Sequence, residues 1–550
     1  MGSVSAMSST SGPSFPWRSA CFLALATGLG AQQAPVTWEA LEAQGARLAS
    51  IDFLIGDVFD PARPHEDHWL GRFINALHIQ TREQVVRREV HFQPGDPVDA
   101  RRIHEAERTL RTFRFLKDAA IEPWVDEAGG VHAVVRTQDA WTLKASAGVS
   151  QVGNQRSVGF ALHESNLLGF GKDLTLSHEK TVERSTDSVL YVDRQFLGSA
   201  WTLGSRYQVL SDGKTRFLSL AKPYRHLDTP WSLSTSVASS DSVETLYNEQ
   251  RGAYVFAARR DDFSLEGSWA TAITGDRALR LGGGLDVDQT RFTNLQVLDA
   301  GLLAAPELLS RRLQGFHASW ALFEDRFRPY RDLAGMTHTE DFNHGWEVQA
   351  SLGIHLKALG SDVNAPFIRA SVAKGWAPAE ATLVLLRAGA SARREPEGWQ
   401  DGQVKGAFTA YYQGLPHQTQ AALVQVDAVH RPDPQNLLYL GGLDGLRGYG
   451  NHLWVGDRRW LASLEERVIT PVNWLGLLQL GFVLYADAGS IRRLDTAQWS
   501  RTYVNVGGGL RLGNLKSSIG RVFLLTVAYP LVKDPWTDRY QIVVGDLVRF

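Results

Sequence analysis

The feature that most restricts the fold of this chain is a two-residue alternation that begins at Trp141 and returns in many later segments. From 141 to 149 every second residue is apolar, and threonine, lysine, serine or glycine lies between them. The segments 231–237 and 279–287 repeat the pattern with serine, arginine and aspartate among the polar partners. Because successive side chains of a β-strand point to opposite faces, each segment predicts a strand with one apolar and one polar face.

Long strands of this kind favour a membrane barrel with a wet lumen. The mean hydropathy of −0.19 excludes a protein built from many membrane-spanning helices, whereas alternating barrel strands average to such a middling value. The chain has 17 tryptophans. Aromatic residues lie near the predicted strand ends, as interfacial girdles require: Trp201, Tyr207, Phe217, Tyr224 and Trp231. A two-layer sandwich would also alternate, but a secretion signal and the character of the chain end favour the barrel.

Residues 1–31 are predicted to be a secretory signal peptide. Arg18 precedes a short apolar run that ends in small residues near Ala31. The run is too short to cross a bilayer as a helix. Cys21, the single cysteine, lies in this segment, so the chain is predicted to hold neither an internal disulfide nor a thiolate metal site.

A small α+β domain is predicted between residues 46 and 140, after a short helix at 38–46. Its first strand covers 48–55, and Thr81 with Gln84 has the spacing of a capping box at a helix start. Asp99 is the candidate N-cap of a second helix, which continues to residue 116 with apolar residues at helical spacing. Strands at 119–126 and 131–139 complete a β-α-α-β-β order.

An arginine in a glycine-dense loop, Arg447 within 441–450, is the strongest candidate for a functional site. In the strand from 478 to 489 the even-numbered residues are all apolar, whereas Asp487 lies on the odd-numbered face. The apolar face belongs against lipid, so Asp487 is predicted to point into the lumen, where a carboxylate is most stable when paired with a cation. Arg447 can bind it bidentately, and the glycines let the loop turn sharply. We therefore predict that this loop folds into the lumen and that Arg447 contacts Asp487.

The chain resembles the Omp85 superfamily of bacterial outer-membrane proteins, the type that includes assembly factors and surface antigens. The segments 81–89, 92–96 and 108–116 resemble one POTRA domain, and 162–172 and 191–199 resemble the first hairpins of such barrels. The resemblance implies a membrane β-barrel of about sixteen antiparallel strands over 141–550, preceded by a small α+β POTRA domain over 46–140.

The candidate site residues match four motifs of this superfamily. In the lumen loop, around 441–457, the matching residues are Leu446, Arg447, Gly448 and Tyr449. On the barrel wall they are Tyr485, Asp487 and Gly489. On the supporting strand they are Glu465 and Arg467. At the C-terminal β-signal, where the match is partial, they are Gly545, Val548 and Phe550. A nucleotide-binding loop is excluded, because neither a Walker lysine nor a strand–turn–helix unit accompanies the glycines.

The resemblance implies a protein that inserts or translocates client polypeptides, with the seam between the first strand (143–149) and the last strand (540–550) as the place where a client strand pairs. The expected partners are outer-membrane lipid, unfolded client polypeptides, and periplasmic or inner-membrane accessory proteins. The expected location is the outer membrane, with the POTRA domain in the periplasm.

Two alternatives remain open: a two-partner secretion pore that exports a dedicated substrate, and a passive or structural barrel. Neither a cofactor nor a metal is expected, and the chain is not expected to be an enzyme. The formal net charge of −2 gives no electrostatic case for a nucleic-acid partner.

Overall fold

The structure is a computed structural model that describes residues 36–62, 67, 69–152, 155–336, 338–474, 477–516, 522–535 and 537–545. The predicted signal peptide, with Cys21, and the predicted β-signal residues Val548 and Phe550 lie outside the described residues. None of the described helices is both long enough and apolar enough to span a bilayer.

The N-terminal domain combines short helices with a small sheet. The described helices are α1 (Trp38–Ala43), α2 (Trp69–Leu77), α3 (Glu83–Arg87) and α4 (Ala100–Arg111). The strands are β1 (Leu48–Gly56), β2 (Leu116–Val125) and β3 (Val131–Asp139). Central β3 is parallel to β1 and antiparallel to β2. The apolar stripe of α4 shares one buried core with β3, so the helical period and the strand alternation serve the same interior. The identity of this domain as a POTRA domain stays a prediction.

Several local features test the sequence prediction for this domain. Asp99 is confirmed as an N-cap, because its carboxylate accepts from the Arg102 amide at 3.0 Å. The capping box is wrong: Arg82 is the N-cap of α3, and the Thr81 hydroxyl donates instead to Asp139 Oδ1 at 2.8 Å. The folded unit also begins before residue 46, since Trp38 of α1 is buried and its ring donates to the Ile121 carbonyl at 2.8 Å. The sequence pattern does not predict α2.

Most of the described residues from 143 onward form one closed antiparallel barrel. Its first strands are β4 (Leu143–Val152), β5 (Gln155–Glu164), β6 (Lys172–Lys180), β7 (Ser185–Asp193), β8 (Thr202–Leu210), β9 (Gly213–Lys222), β10 (Trp231–Asn248), β11 (Arg251–Thr274), β12 (Arg277–Val297) and β13 (Arg311–Glu324). A separate hairpin of β14 (Phe327–Arg331) and β15 (Thr339–Asn343) follows. The ring continues with β16 (Trp346–His355), β17 (Ala365–Ala379), β18 (Thr382–Glu395), β19 (Gly398–Tyr412) and β20 (Gln418–His430).

A short strand, β21 (Leu438–Leu440), pairs with the start of the next long strand. The last ring strands are β22 (Trp454–Trp474), β23 (Leu478–Arg493), β24 (Tyr503–Asn514), β25 (Val522–Pro530) and β26 (Gln541–Gly545), and β26 closes onto β4. A closed antiparallel barrel preceded by a small α+β domain is the predicted fold class, and the structure confirms it.

The predicted number of about sixteen strands is wrong. Over the described part of the chain the ring consists of β4–β13, β16–β20 and β22–β26, which is twenty strands, besides the short β21. The first six strands are only nine or ten residues long. A given length of chain therefore holds more strands in this part of the barrel than long strands would allow. Alternation marks the faces of a strand but does not mark where one hairpin ends and the next begins.

The orientation predicted for β23 is confirmed. Its odd-numbered residues from Gln479 to Asp487 are buried, whereas Leu484 on the other face is 67% exposed. Further large apolar side chains are exposed on the outer face, among them Leu352, Leu464 and Val527. Such a band is what contact with lipid acyl chains requires.

The N-terminal domain docks against one end of the barrel, which we call the domain end. Thr81 accepts a hydrogen bond from Asn166 in the turn between β5 and β6, at 2.9 Å. Arg101 of α4 binds Asp228 in the turn between β9 and β10, at 2.8 Å. The loop between β20 and β22, which carries Arg447, lies at the opposite end, called the far end. The two predicted functional parts of the chain therefore lie at opposite ends of the lumen.

Candidate functional site

The loop between β20 and β22 turns its glycine-dense part back on itself. The Gly442 amide donates to the Gly450 carbonyl at 3.1 Å, and the Leu446 amide donates to the Gly441 carbonyl at 2.9 Å. Gly445 has φ of 136°, a conformation that other residues rarely adopt. These bonds form a compact tip that directs Arg447 toward the barrel wall.

Arg447 is buried, with 2% of its surface exposed, and lies against β22 and β23. Its Nε donates to Asp487 Oδ2 at 2.9 Å, and its Nη2 donates to Asp487 Oδ1 at 2.6 Å. Its Nη1 donates to Glu465 Oε1 at 2.5 Å. The structure thus brings together the arginine and the aspartate that the sequence pairs, in the bidentate geometry that favours an arginine over a lysine. We call this contact, with Glu465, the loop anchor.

Two residues that the sequence prediction missed complete the binding of Asp487. Ser463 Oγ donates to Asp487 Oδ1 at 2.7 Å, and Asn505 Nδ2 donates to Asp487 Oδ2 at 2.9 Å. Ser463 on β22 and Asn505 on β24 are the direct cross-strand neighbours of Asp487. The signal that could have found them is therefore the strand register, since residues opposite one another on a sheet face are in contact.

Tyr485 and Glu465 extend the loop anchor along the wall. The Arg447 guanidinium carbon lies 3.4 Å from the centre of the Tyr485 ring, a cation–π contact. Glu465 bridges two arginines, because its Oε2 accepts from Arg467 Nε at 2.9 Å while its Oε1 accepts from Arg447. The predicted supporting pair Glu465 and Arg467 therefore lies next to the predicted loop residue.

The other predicted loop residues fix the position of the arginine by packing. Leu446 is fully buried in an apolar cluster of the loop and the wall, and the Tyr449 hydroxyl donates to the Val504 carbonyl at 2.8 Å. A Cβ on Gly448 would lie 2.5 Å from Asn505 Cβ. A Cβ on Gly489 would lie 2.7 Å from a methyl carbon of Leu461. Both glycines therefore allow the loop and the wall to approach closely.

A second arginine holds the base of the loop. Arg459 on β22 donates to Asp427 Oδ2 at 2.7 Å, to Asp444 Oδ1 at 3.0 Å and to the Tyr439 carbonyl at 2.5 Å. It ties the wall to both the tip, through Asp444, and the arm that leads into the tip, through Tyr439. The sequence prediction missed it, because an arginine on a lumen face looks like any solvated polar position.

The chemistry of the loop anchor is that of a fixed ion network. The carboxylates of Asp487 and Glu465 accept from arginine, serine or asparagine donors, and removing one partner would leave buried charge behind. Among the described residues, no group of three or more histidine, cysteine, aspartate and glutamate side chains is arranged to hold a metal ion. The site is thus built to hold a loop in one place.

The seam of the barrel is the second candidate site. Over the described residues, β26 and β4 are joined at the registered pair of Val544 with Gln151, which closes the ring between its first and last described strands. Gly545 of the predicted β-signal is the last described residue of β26 and has φ of 137°. The remaining predicted β-signal residues, Val548 and Phe550, lie outside the described residues.

Comparisons with known proteins point in one direction. None of the family models searched matches this chain. A curated relative from Treponema pallidum (strain Nichols), described as a candidate outer membrane protein assembly factor, is 24% identical over 195 residues, which is 34% of this chain. The match spans 22% of that relative's length.

Two solved structures are also similar to the chain over most of its length. BamA from Haemophilus ducreyi, lacking POTRA domains 1–3, is 13% identical, with 91% of this chain and 83% of that chain covered and a TM-score of 0.35. CdiB from Escherichia coli is 14% identical, with 90% and 75% covered and a TM-score of 0.44. Since these backbones do not superpose closely, the barrel assignment comes from the strand pairing of this chain itself.

Proposed function

We propose that this closed β-barrel is a member of the Omp85 superfamily, which the chain resembles, and that it inserts or translocates client polypeptides at the outer membrane. The observation that carries the proposal is the loop anchor: a far-end loop is held inside a closed barrel by a buried, bidentate arginine–aspartate pair. The name of the Treponema pallidum relative, an outer membrane protein assembly factor, supports the same class of activity.

The proposed mechanism takes place at the seam between β4 and β26. A strand whose backbone groups lack partners on one side offers main-chain hydrogen bonds to any extended polypeptide, without demanding a particular sequence. A client strand that pairs there keeps its own backbone groups satisfied as it enters the bilayer. The loop anchor holds the neighbouring strands β22 to β24 in register, so that opening is confined to the seam.

The proposed setting follows from this mechanism. The barrel lies in the outer membrane, the N-terminal domain is a POTRA domain in the periplasm, and unfolded client polypeptides arrive on that side. Its edge strand β1 pairs with β3 on one side only within the described residues, which suits strand addition by a client. Lipid and accessory proteins of the periplasm or inner membrane are further proposed partners, and the chain acts without catalysing a reaction.

A disulfide across the seam tests the proposal. Gln151→Cys with Val544→Cys joins β4 to β26 at their registered pair. The matched control, Leu176→Cys with Val189→Cys, joins β6 to β7 at a registered pair on the outer face. In liposomes, the oxidised seam variant should lose insertion of an unfolded barrel client, and reduction should restore it, whereas the control should stay active.

The same experiment separates the alternatives. Insertion that survives oxidation of the seam contradicts the seam mechanism. A two-partner secretion pore would export its substrate through the lumen and keep working with a closed seam. A passive barrel would show no insertion in either state.

A further inference from the structure

The hairpin of β14 and β15 lies inside the lumen at the domain end, where it belongs to neither the ring nor the N-terminal domain. We propose that this hairpin, residues 325–336 and 338–345, is a gate that closes the lumen at the domain end, and that α4 of the N-terminal domain holds it closed. This function lies beyond the proposed insertion of clients and does not depend on it.

The tip of the hairpin is seated in the wall by two apolar side chains. Leu333 is buried against Leu383, Tyr411 and Ala421 of β18, β19 and β20. Met336 is fully buried among Ile469 of β22 and two residues of β25, Val522 and Leu524. The tip therefore contacts one continuous arc of the wall, from β18 to β25. Burying two such side chains is a substantial apolar contribution for a hairpin this short.

The wall has room for Met336 because two lumen-facing residues lack side chains. A Cβ on Gly513 would lie 2.8 Å from Met336 Cβ, and a Cβ on Gly481 would lie 3.1 Å from Met336 Cε. Successive residues of these strands point alternately to the lumen and to lipid. Each of the two glycines is at a lumen-facing position, so its missing side chain leaves a recess toward the lumen. The recess and the methionine fit each other.

Polar contacts fix the backbone of the tip. Glu340 accepts hydrogen bonds from three successive amides: Leu333 at 2.8 Å, Ala334 at 3.2 Å and Gly335 at 3.0 Å. The wall also contributes donors, since Arg467 binds the Leu333 carbonyl and Arg511 Nη2 donates to the Ala334 carbonyl at 3.3 Å. The tip is thus a folded part of the lumen and not a loose turn.

The root of the hairpin is bound by α4. Arg111 donates to Asp341 from Nε at 3.0 Å and from Nη2 at 2.8 Å, a bidentate pair. Arg108 binds Asp325 at 2.7 Å and lies 4.0 Å over the Phe327 ring. Undocking of the N-terminal domain would remove both contacts at once, and the root of the hairpin would then be free to move.

The tip of the gate touches the loop anchor through one residue. Arg467 binds the Leu333 carbonyl of the gate and also Glu465, which in turn binds Arg447. A contiguous set of hydrogen bonds therefore runs from α4 to the far-end loop. Release of the gate would leave Arg467 without one of its acceptors, next to the residues that hold the loop.

A single reporter cysteine tests whether α4 holds the gate. With the predicted signal peptide removed, the chain has no other cysteine, so Met336→Cys can be labelled selectively with a bulky maleimide in the purified full chain. Labelling should be slow in the parent. It should be about tenfold faster or more with Arg111→Ala, because the loss of the bidentate pair makes opening of the gate easier; a tenfold change corresponds to about 1.4 kcal/mol in the free energy of opening. Arg87→Ala, whose exposed side chain pairs with Glu83 on its own helix, is the matched control and should change nothing.

Closure itself is tested by ion conductance in planar bilayers. Replacing residues 332–336 with a glycine–serine turn should raise the conductance of the folded barrel, alone or combined with Arg447→Ala, which frees the far end. If Met336→Cys prevents folding, as judged by gel mobility before and after heating, Leu333→Cys replaces it as reporter. Fast labelling in the parent, equal labelling with and without Arg111→Ala, or unchanged conductance in both backgrounds would each overturn the gate. None of these readouts uses a client, so they stand apart from the test of the proposed function.

Discussion

Removing the Arg447 side chain is expected to release the far-end loop while the barrel stays folded. The substitution Arg447→Ala deletes the donors to Asp487 and Glu465 and leaves both carboxylates enclosed by the wall. Only 1% of Asp487 is exposed, so water cannot readily replace the guanidinium while the loop stays in place. The loop must therefore move, or the carboxylates must take up protons.

The expected magnitude follows from the contacts that remain. Breaking a buried ion pair by removing one partner costs about 3–5 kcal/mol. Asp487 keeps the hydrogen bonds from Ser463 and Asn505, and Glu465 keeps Arg467, so the lower end of the range applies. About 3 kcal/mol corresponds to roughly a hundredfold shift toward the released loop.

Amide hydrogen exchange of the segment 441–453 measures this shift. The Leu446 and Tyr449 amides are hydrogen-bonded within the tip, and their protection should fall roughly a hundredfold in Arg447→Ala. The matched control is Arg492→Ala, which breaks a partly exposed pair with Asp457 on the same two strands and should leave the segment protected. Unchanged protection in Arg447→Ala, with a folded barrel, would show that the loop does not depend on its anchor.

Three further substitutions test separate parts of the structure. Gly448→Ala places a Cβ 2.5 Å from Asn505 Cβ and should cost about 1–3 kcal/mol of loop docking; it is read by the same exchange, with Gly406→Ala, which meets only the Val426 carbonyl at 3.9 Å, as control. Leu484→Arg on the outer face should lower barrel stability by about 2–4 kcal/mol in urea titrations with vesicles, whereas Gln403→Arg, on the lumen side of β19, should cost less. Burial raises the pKa of Glu105 on α4 to about 7, with Asp325 adding to the shift against Arg101, Arg108 and the Leu227 amide. Because the docked state holds this proton more tightly, the contribution of Glu105 to docking is greatest below the ordinary pKa of 4.5 and is lost as pH rises through about 7. Burial of His226 at the same contact lowers its pKa to about 3 and acts in the opposite direction, weakening docking as pH falls below 6.5. Energy transfer between dyes on the domain and the barrel should report docking, and Glu105→Gln should remove the part of the loss that occurs between pH 4.5 and about 7; identical pH profiles for the parent and Glu105→Gln would contradict it.

The sequence alone predicts the loop anchor because two physical constraints act on it together. Strand alternation fixes which face Asp487 occupies, and a carboxylate turned toward an enclosed lumen is most stable next to a cation. Arg447 is the cation that a glycine-rich loop can deliver. The contacts of Ser463 and Asn505 with Asp487 are not predicted, because they depend on the register of three strands, which the sequence does not specify.

The gate hairpin and the strand number escape prediction for a related reason. Residues 325–345 resemble any connection between two strands until the structure places Leu333 and Met336 in the lumen. A short polar stretch can be either a turn between two strands or part of one longer strand, so the alternation over 271–435 is compatible with several numbers of strands. The misplaced capping box is a local example: Thr81 has the right spacing to cap α3, but a tertiary partner, Asp139, takes its hydroxyl.

The central claim, that the loop anchor supports the work of the barrel, is tested most directly by a double-mutant cycle on client insertion in liposomes. The variants are Arg447→Ala, Asp487→Asn and the two combined, each compared with the parent at equal amounts of folded barrel. If the pair acts as a unit, each single substitution slows insertion and the double variant is no slower than the worse single one. An exchange, Arg447→Asp with Asp487→Arg, should recover part of the rate, because it restores the ion pair. Recovery should be incomplete, because the neighbouring Glu465 repels an aspartate at position 447. Full insertion activity in Arg447→Ala, with its loop released, would contradict the claim.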